Sequence, residues 1–515
     1  MTSKVKPYKF ERGPFKVITA GQLQEGFDIA GVGRIEERGR AMIKHLYING
    51  QWKEAASNME LTSPFTGEVI AKVAQADEAD TDEAIQAARA AAVAMASMPA
   101  HRRSAILEKA ASLLEDRKEE MSRILALEAA KPIKTARGEI ARTIQTYTFS
   151  AMEACRIHGE TVPLDAAPGG EGRIAFTLRK PIGVVGAITP FNFPFNLVAH
   201  KVGPAIAAGN TVVLKPASQT PLSALALADI FAEAGLPAGA LNIIPGKGSI
   251  VGEKLVKDPR IAAITFTGSP DVGIAMKNKA GLKRVTLELG SNSGLIIDDT
   301  ADITQDLVDR CVLGAFAFSG QVCISIQRIF VHAVKFNEFA ERFKEATEKL
   351  IVGDPFDEHT DLSAMISVKE AERMQEWVDS AVARGSVVLT GGEAIRPGVF
   401  PPTILTNVPK QEPVSCQEVF GPIVTLSAFD TLDEAIHAVN DSRYGLQAGI
   451  YTRDIQAAMR AAEQLEVGGV MINDFPTFRV DHMPYGGVKE SGFGREGIKY
   501  AIEEMTELKL ISIKL

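Results

Sequence analysis

Cys323 lies in Ser319-Gly320-Gln321-Val322-Cys323-Ile324-Ser325, where glycine and small polar neighbours would let a substrate and a second stretch of backbone approach the sulfur closely. Such a setting suits a nucleophilic thiolate. Taken alone, however, a cysteine in apolar surroundings is more often a small buried hydrophobe, and Cys155, Cys311 and Cys416 keep that reading. Attack on a carbonyl needs donors for the developing oxyanion. Thr189-Pro190-Phe191-Asn192-Phe193-Pro194 offers the Asn192 amide directly after a predicted strand, held between two prolines, although the same hexapeptide also reads as a plain Asn turn. Release of an acyl group to water needs a general base, for which Glu288 in Val285-Thr286-Leu287-Glu288-Leu289-Gly290 is the candidate. Burial at the end of an apolar strand would raise its pKa; a salt-bridged strand-end glutamate is the alternative.

A second group of motifs suits a nucleotide. Lys215 closes a predicted strand in Val212-Val213-Leu214-Lys215-Pro216-Ala217-Ser218, where a ribose would meet a doubly wound sheet, or where a lysine would simply be solvated. Gly246-Lys247-Gly248-Ser249 and Phe266-Thr267-Gly268-Ser269 each follow a strand, with Ser269 placed to cap the next helix and offer its N-terminus to phosphate. Gly492-Phe493-Gly494-Arg495-Glu496-Gly497 matches GxGxxG literally, but no strand precedes it, and we reject it as a dinucleotide fingerprint. Gly290-Ser291-Asn292-Ser293-Gly294 has Asn where a nucleophile elbow needs Ser, and no metal-spaced His or Cys cluster occurs, so no metal site is expected.

These residues need a scaffold. Helical spacing runs over 80–98 and 102–127, and from 180 onward short β-branched runs alternate with helices such as 221–234. Strands are predicted at 182–188, 211–214, 241–244 and 261–265; apolar on both faces, they imply a covered parallel sheet of nucleotide-binding type. A second α/β series, starting near 294 with strands at 327–331, 386–389 and 469–473, needs its own sheet. Segments 173–179 and 508–515 alternate apolar and polar residues outside both sheets and are predicted to pair in an arm that joins subunits.

At 515 residues, with 46% hydrophobic and 23% charged residues, the chain can build a large multi-part core. Its net charge of −8 argues against broad nucleic-acid or anionic-lipid surfaces. No run approaches the ~18 apolar residues of a spanning helix, and no secretory apolar block opens the chain. Only four cysteines and no CxxC pair fit a reducing, cytoplasmic setting.

In this order, Thr189 to Pro194, Lys215 to Ser218, Phe266 to Ser269, Leu287 to Gly290, Gly320 to Cys323, Glu418-Val419-Phe420-Gly421-Pro422 and Pro484-Tyr485-Gly486-Gly487 resemble the aldehyde dehydrogenase superfamily from about residue 46 onward. The resemblance implies an oxidoreductase with an α/β fold: a Rossmann-like cofactor domain, an α/β catalytic domain and a β-strand oligomerisation arm that makes homodimers or homotetramers. It implies Cys323 as the nucleophile that carries a thioester, Asn192 with the Cys323 N–H as the oxyanion hole, and Glu288 as the base for the deacylating water. NAD or NADP would be held by Thr189, Pro190, Lys215, Ser218, Gly248, Ser269, Leu289, Glu418 and Phe420. The expected boundaries are 1–40 for an extension, 41–160 and 181–289 for the cofactor domain, 290–488 for the catalytic domain, and 161–180 with 489–515 for the arm and C-terminal segment.

Gly290-Ser291-Asn292 stands where many relatives read Gly-Gly-Lys, and Phe191 where many have Trp. With the Cys323 loop, this is most similar to the branch of lactaldehyde and phosphonoacetaldehyde dehydrogenases, implying a small, hydroxylated or anionic aldehyde. Arg142 falls where the non-phosphorylating glyceraldehyde-3-phosphate dehydrogenases carry arginine; Arg479 precedes the Pro484 motif, and Phe193, Val322 and Ile324 flank the chemistry. Val322 stands where phosphate-specific relatives often have arginine, so an anion reader and a salt-bridge partner are both open for the two arginines. Ser218, where a carboxylate would repel a 2′-phosphate, permits NADP. The competing readings are a CoA-acylating enzyme, against which Glu288 argues, a non-catalytic member of the fold, and a thiol hydrolase.

Overall fold

The computed structural model describes residues 43–515 and, before them, the backbone of the short strands Asp28–Ile29 and Gly33–Arg34; the rest of the extension expected over 1–40 lies outside the described residues. The described chain divides into two compact units. One joins the residues up to Gly290 with Arg479–Leu515, and the other is Ser291–Phe478.

The first unit holds an eight-stranded sheet in the order Gly492–Phe493, Arg284–Glu288, Ile261–Thr267, Val184–Ile188, Thr211–Lys215, Leu241–Ile243, Leu46–Ile48, Gln51–Lys53. The five central strands are parallel, and the outer ones are antiparallel. Their residues alternate between two cores: Val185, Ala187, Val212 and Leu214 pack on one face, and Val184, Ile188, Val213 and Ile264 on the other. This is why the runs read as continuously apolar. The strand order reverses between Val184–Ile188 and Ile261–Thr267, and the crevice beyond the carboxyl ends at such a switch is where this class of sheet binds ligands.

The first predicted helix spans Glu78–Ser97, started by a capping box at Asp77. The helix predicted over 102–127 is two, Ala100–Asp116 and Lys118–Ala129, because Arg117 leaves helical geometry at φ −109, ψ 18 without a glycine or proline to announce it. The Arg173–Pro181 and Thr506–Lys514 segments pair antiparallel along their whole length, as expected. Among the described residues no helix is long and apolar enough to cross a membrane.

The second unit carries a seven-stranded sheet ordered Val387–Thr390, Thr403–Thr406, Ile423–Phe429, Arg328–His332, Gly294–Ile297, Gln447–Tyr451, Gly469–Ile472. All neighbours are parallel except the first pair.

Candidate active site

Parallel register brings four strand ends of the first unit level: Lys215 pairs with Ile188, Ile188 with Phe266, and Thr267 with Glu288. Thr189, Pro190 and the buried Asn192 continue from the Ile188 end, and Ser269 lies two residues past Thr267. Lys215 is 7% exposed, its Nζ donates to the Pro216 carbonyl at 3.0 Å, and burial lowers its pKa to about 8. An ammonium with three donors and one used suits an oxygen-rich ligand.

Helix starts divide into closed and open ones. Glu139 accepts from the amides of Phe195 and Asn196 at the start of Asn196–Ala208, and Glu128 from those of Leu222 and Ser223 at the start of Pro221–Glu233. Internal carboxylates thus occupy the positive ends of both helices. Ser269 sits at the N-cap position of Pro270–Lys279, but its hydroxyl makes no capping bond, which corrects the expectation that it would. That hydroxyl is not spent on its own helix, whose first turn carries Asp271, and together with Lys215 it gives this edge donors that fit a dinucleotide. Ser218 is half-buried beyond Lys215, Leu289 is buried beside Glu288, and a Cβ at Gly248 would meet nothing within 4 Å.

Glu288 is 3% exposed, and neither carboxylate oxygen has a hydrogen-bond partner, so it is not the salt-bridged glutamate of the alternative reading. Burial first, then the neighbouring Glu496 carboxylate, raise its pKa well above the ordinary value against the pull of Arg479, Lys201 and Arg495. Glu496, although buried, is held at about 2 by Lys201, His200 and Arg479. Lys201 Nζ donates to Glu496 at 2.9 Å and to Thr267 Oγ1 at 2.7 Å. The backbone of the Pro484 motif lies against the base: a Cβ on Gly486 would stand 3.1 Å from Glu288 Oε1. The literal GxGxxG is no phosphate turn, since Gly492–Phe493 is an edge strand paired with Leu287 and Glu288.

Arg142 grips Asp481 through Nε at 3.1 Å and Nη2 at 2.7 Å; its side chain is 30% exposed, and Nη1 is uncommitted. Asp481 also accepts from Asn196 and faces His200 at 2.9 Å, and despite burial His200 and Arg142 hold its carboxyl far below the usual range. Arg479, 6% exposed, bonds Glu496 at 3.1 Å and meets His200 at 3.2 Å over the Tyr485 ring. Both arginines are thus ion-paired, within one polar cluster. Half-buried Phe193 lies under the Lys131 ammonium at 4.0 Å. Sequence reading missed Lys201, His200, Asp481 and Glu496. The available signal was His200-Lys201 inside a wholly buried helix that is apolar apart from them and Asn196 at its start, where a charge demands a partner.

In the second unit the half-buried Cys323 lies between the Gln305–Phe316 helix and the Arg328–His332 strand, flanked by buried Val322 and Ile324. Phe318, Ser319 and Gly320 are all left-handed, at φ 48, 54 and 67. Gly320 has no alternative, because a Cβ there would lie 2.1 Å from the Gly421 carbonyl oxygen. The thiol loop and the Glu418 motif are therefore braced backbone to backbone. Gln321 Oε1 accepts from Ile366 and Thr477 Oγ1 donates to the Ile324 carbonyl, holding both sides of Cys323. Glu418 accepts from the Ser291 amide at 2.9 Å, and burial pushes its pKa to about 7; Phe420, two residues on, is half-buried with φ 48.

Residues 52–511 match the aldehyde dehydrogenase family. A 3-sulfolactaldehyde dehydrogenase of Priestia aryabhattai is 50% identical over 473 residues, 91% of this chain and 98% of that one. Among solved structures, aldehyde dehydrogenase 21 of Physcomitrella patens, in complex with its reaction product succinate, superposes with a TM-score of 0.90 at 43% identity over 92% of this chain and 99% of its own. A glyceraldehyde-3-phosphate dehydrogenase of Methanocaldococcus jannaschii complexed with NADP gives 0.85 at 40%, covering 89% and 99%. The chain belongs to the aldehyde dehydrogenase family. It is an NAD(P)-dependent aldehyde dehydrogenase.

Proposed function

We propose that the substrate is a small anionic aldehyde and that the acyl group leaves Cys323 by hydrolysis. The observation that carries hydrolysis is Glu288, a buried carboxylate with no partner on either oxygen. A CoA-dependent enzyme would gain nothing from a base that activates water beside its thioester. The anionic substrate is supported by the Nη1 that Arg142 leaves uncommitted and by the names of the similar proteins, which carry a sulfonate, a carboxylate product and a phosphate.

In this reading the Cys323 thiolate adds to the carbonyl carbon, while the Asn192 amide and the Cys323 N–H donate to the oxygen as it gains charge. A bound nicotinamide would supply the hydride acceptor, and Cys323 would carry the oxidised acyl group as a thioester. Glu288 then takes a proton from water, the bond from the water oxygen to the acyl carbon forms, and the sulfur departs as thiolate. Lys215 and Ser269 would hold the adenosine ribose and pyrophosphate, with Thr189, Pro190, Ser218, Gly248 and Leu289 around them; Glu418 and Phe420 would hold the nicotinamide side. Ser218 puts no carboxylate near a 2′-phosphate, so NADP is accepted as well as NAD. We further read the paired arm as the contact of a homodimer or homotetramer, and the location as cytoplasmic.

A panel of 3-sulfolactaldehyde, succinate semialdehyde, glyceraldehyde 3-phosphate, lactaldehyde and propanal, run with NAD and NADP and with or without CoA, tests this. One charge-assisted contact predicts kcat/KM for an anionic aldehyde roughly 10- to 100-fold above propanal. Equal or better use of propanal would overturn the anionic reading, and acyl-CoA without free acid the hydrolytic one.

A further inference from the structure

We propose that Lys131 and Glu139 are positioning residues for Asn192, the ammonium of one fixing the backbone from which the Asn192 amide is presented. This rests on the reading of Asn192 as an oxyanion donor. Lys131 occupies a rigid corner: Ala130 before it is left-handed (φ 50) and ends Lys118–Ala129, and Pro132 after it opens Ile133–Ala154. Both charged side chains are 0% exposed and ion-paired with one another. Lys131 Nζ donates to the Asn192 carbonyl at 2.6 Å and lies over the Phe193 ring at 4.0 Å. The other Glu139 oxygen accepts from Phe195 N at 3.0 Å and Asn196 N at 3.2 Å. Residues 192–196 are therefore gripped at both ends by one buried pair.

Burying two opposite charges is costly, and an apolar pair of the same volume is often as stable, so stability alone gives no reason to keep these two. Placement does. An oxyanion donor acts only within about 2.7–3.1 Å of where the oxygen will be, and a displacement of about 1 Å costs on the order of 100-fold in rate.

Acylation by p-nitrophenyl acetate isolates this step, because it needs neither the cofactor nor the natural aldehyde. Lys131→Met alone leaves the Glu139 carboxylate buried without its cation and costs folding. The combined variant Lys131→Met/Glu139→Gln removes both charges, while the carboxamide oxygen introduced at position 139 still accepts from Phe195 and Asn196. We expect it to keep a near wild-type thermal midpoint and ester KM, yet to lose about 10- to 100-fold in the p-nitrophenolate burst rate. In an Asn192→Ala background the same pair of changes should cost less than about 2-fold more, as coupled residues do. A wild-type burst rate in the combined variant, or a fully additive loss in the Asn192→Ala background, overturns the positioning role. If Asn192→Ala itself leaves the burst rate unchanged, the oxyanion reading falls and the proposal with it; a loss in Asn192→Ala with none in the combined variant overturns the positioning alone.

Discussion

A carboxyl group that is 3% exposed and has no hydrogen bond on either oxygen holds its proton far more tightly than one in water. For Glu288 this has two opposite consequences. As a base it works only when ionised, so deacylation should rise with pH through its raised pKa. For stability the sign reverses: a folded-state pKa above the unfolded one means that protonation favours the fold, and stability is lost as pH rises through the folded value. Glu288→Gln should therefore raise the thermal midpoint at neutral pH while slowing steady-state turnover by about 100- to 10,000-fold. The first-turnover burst of NADH should remain, because the base serves hydrolysis and not attack. Burst-phase kinetics across pH check this: loss of the burst together with turnover would place Glu288 in the first half-reaction instead.

At the scale of elements, Gly320 ties the thiol loop to the Glu418 loop. Gly320→Ala forces a Cβ to within 2.1 Å of the Gly421 oxygen and keeps φ at +67, where alanine is strained. One such strain costs about 1–3 kcal/mol, and relief by moving the loop displaces Cys323. The expected result is a lower urea midpoint together with a fall in kcat larger than stability explains; unchanged kcat would show that the loop absorbs the shift elsewhere. Glycine at this place was legible from the sequence, as were Lys215 and Glu288 at strand ends, since β-branched runs mark a strand and the next turn residues mark its end. The break at Arg117 was not, because neither Asp116 nor Arg117 stops a helix by type. Nor were the long-range pairs: Lys201 with Glu496 and Arg142 with Asp481 are separated by 295 and 339 residues, and nothing in either local pattern names the other.

At the scale of the whole molecule, the arm is the feature the single chain explains least. The pairing of Arg173–Pro181 with Thr506–Lys514 places Ile174 opposite Ile513 and Phe176 opposite Ile511 on one face, beside Leu178. Ile174, Leu178 and Ile513 remain 49%, 38% and 48% exposed. A two-stranded ribbon is marginal in water by itself, and a contiguous apolar face on one marks an interface. If the arm joins copies of this chain, Ile174→Glu/Ile513→Lys should separate them. The two new charges face each other across the ribbon, so they keep its strands paired while removing the apolar face. Light scattering should then find the wild type as a dimer or tetramer and the variant as a folded monomer with an unchanged circular dichroism spectrum. A variant that keeps the wild-type mass would move the interface away from the arm, and a wild type that is monomeric at micromolar concentration would leave this face without the partner we assign to it.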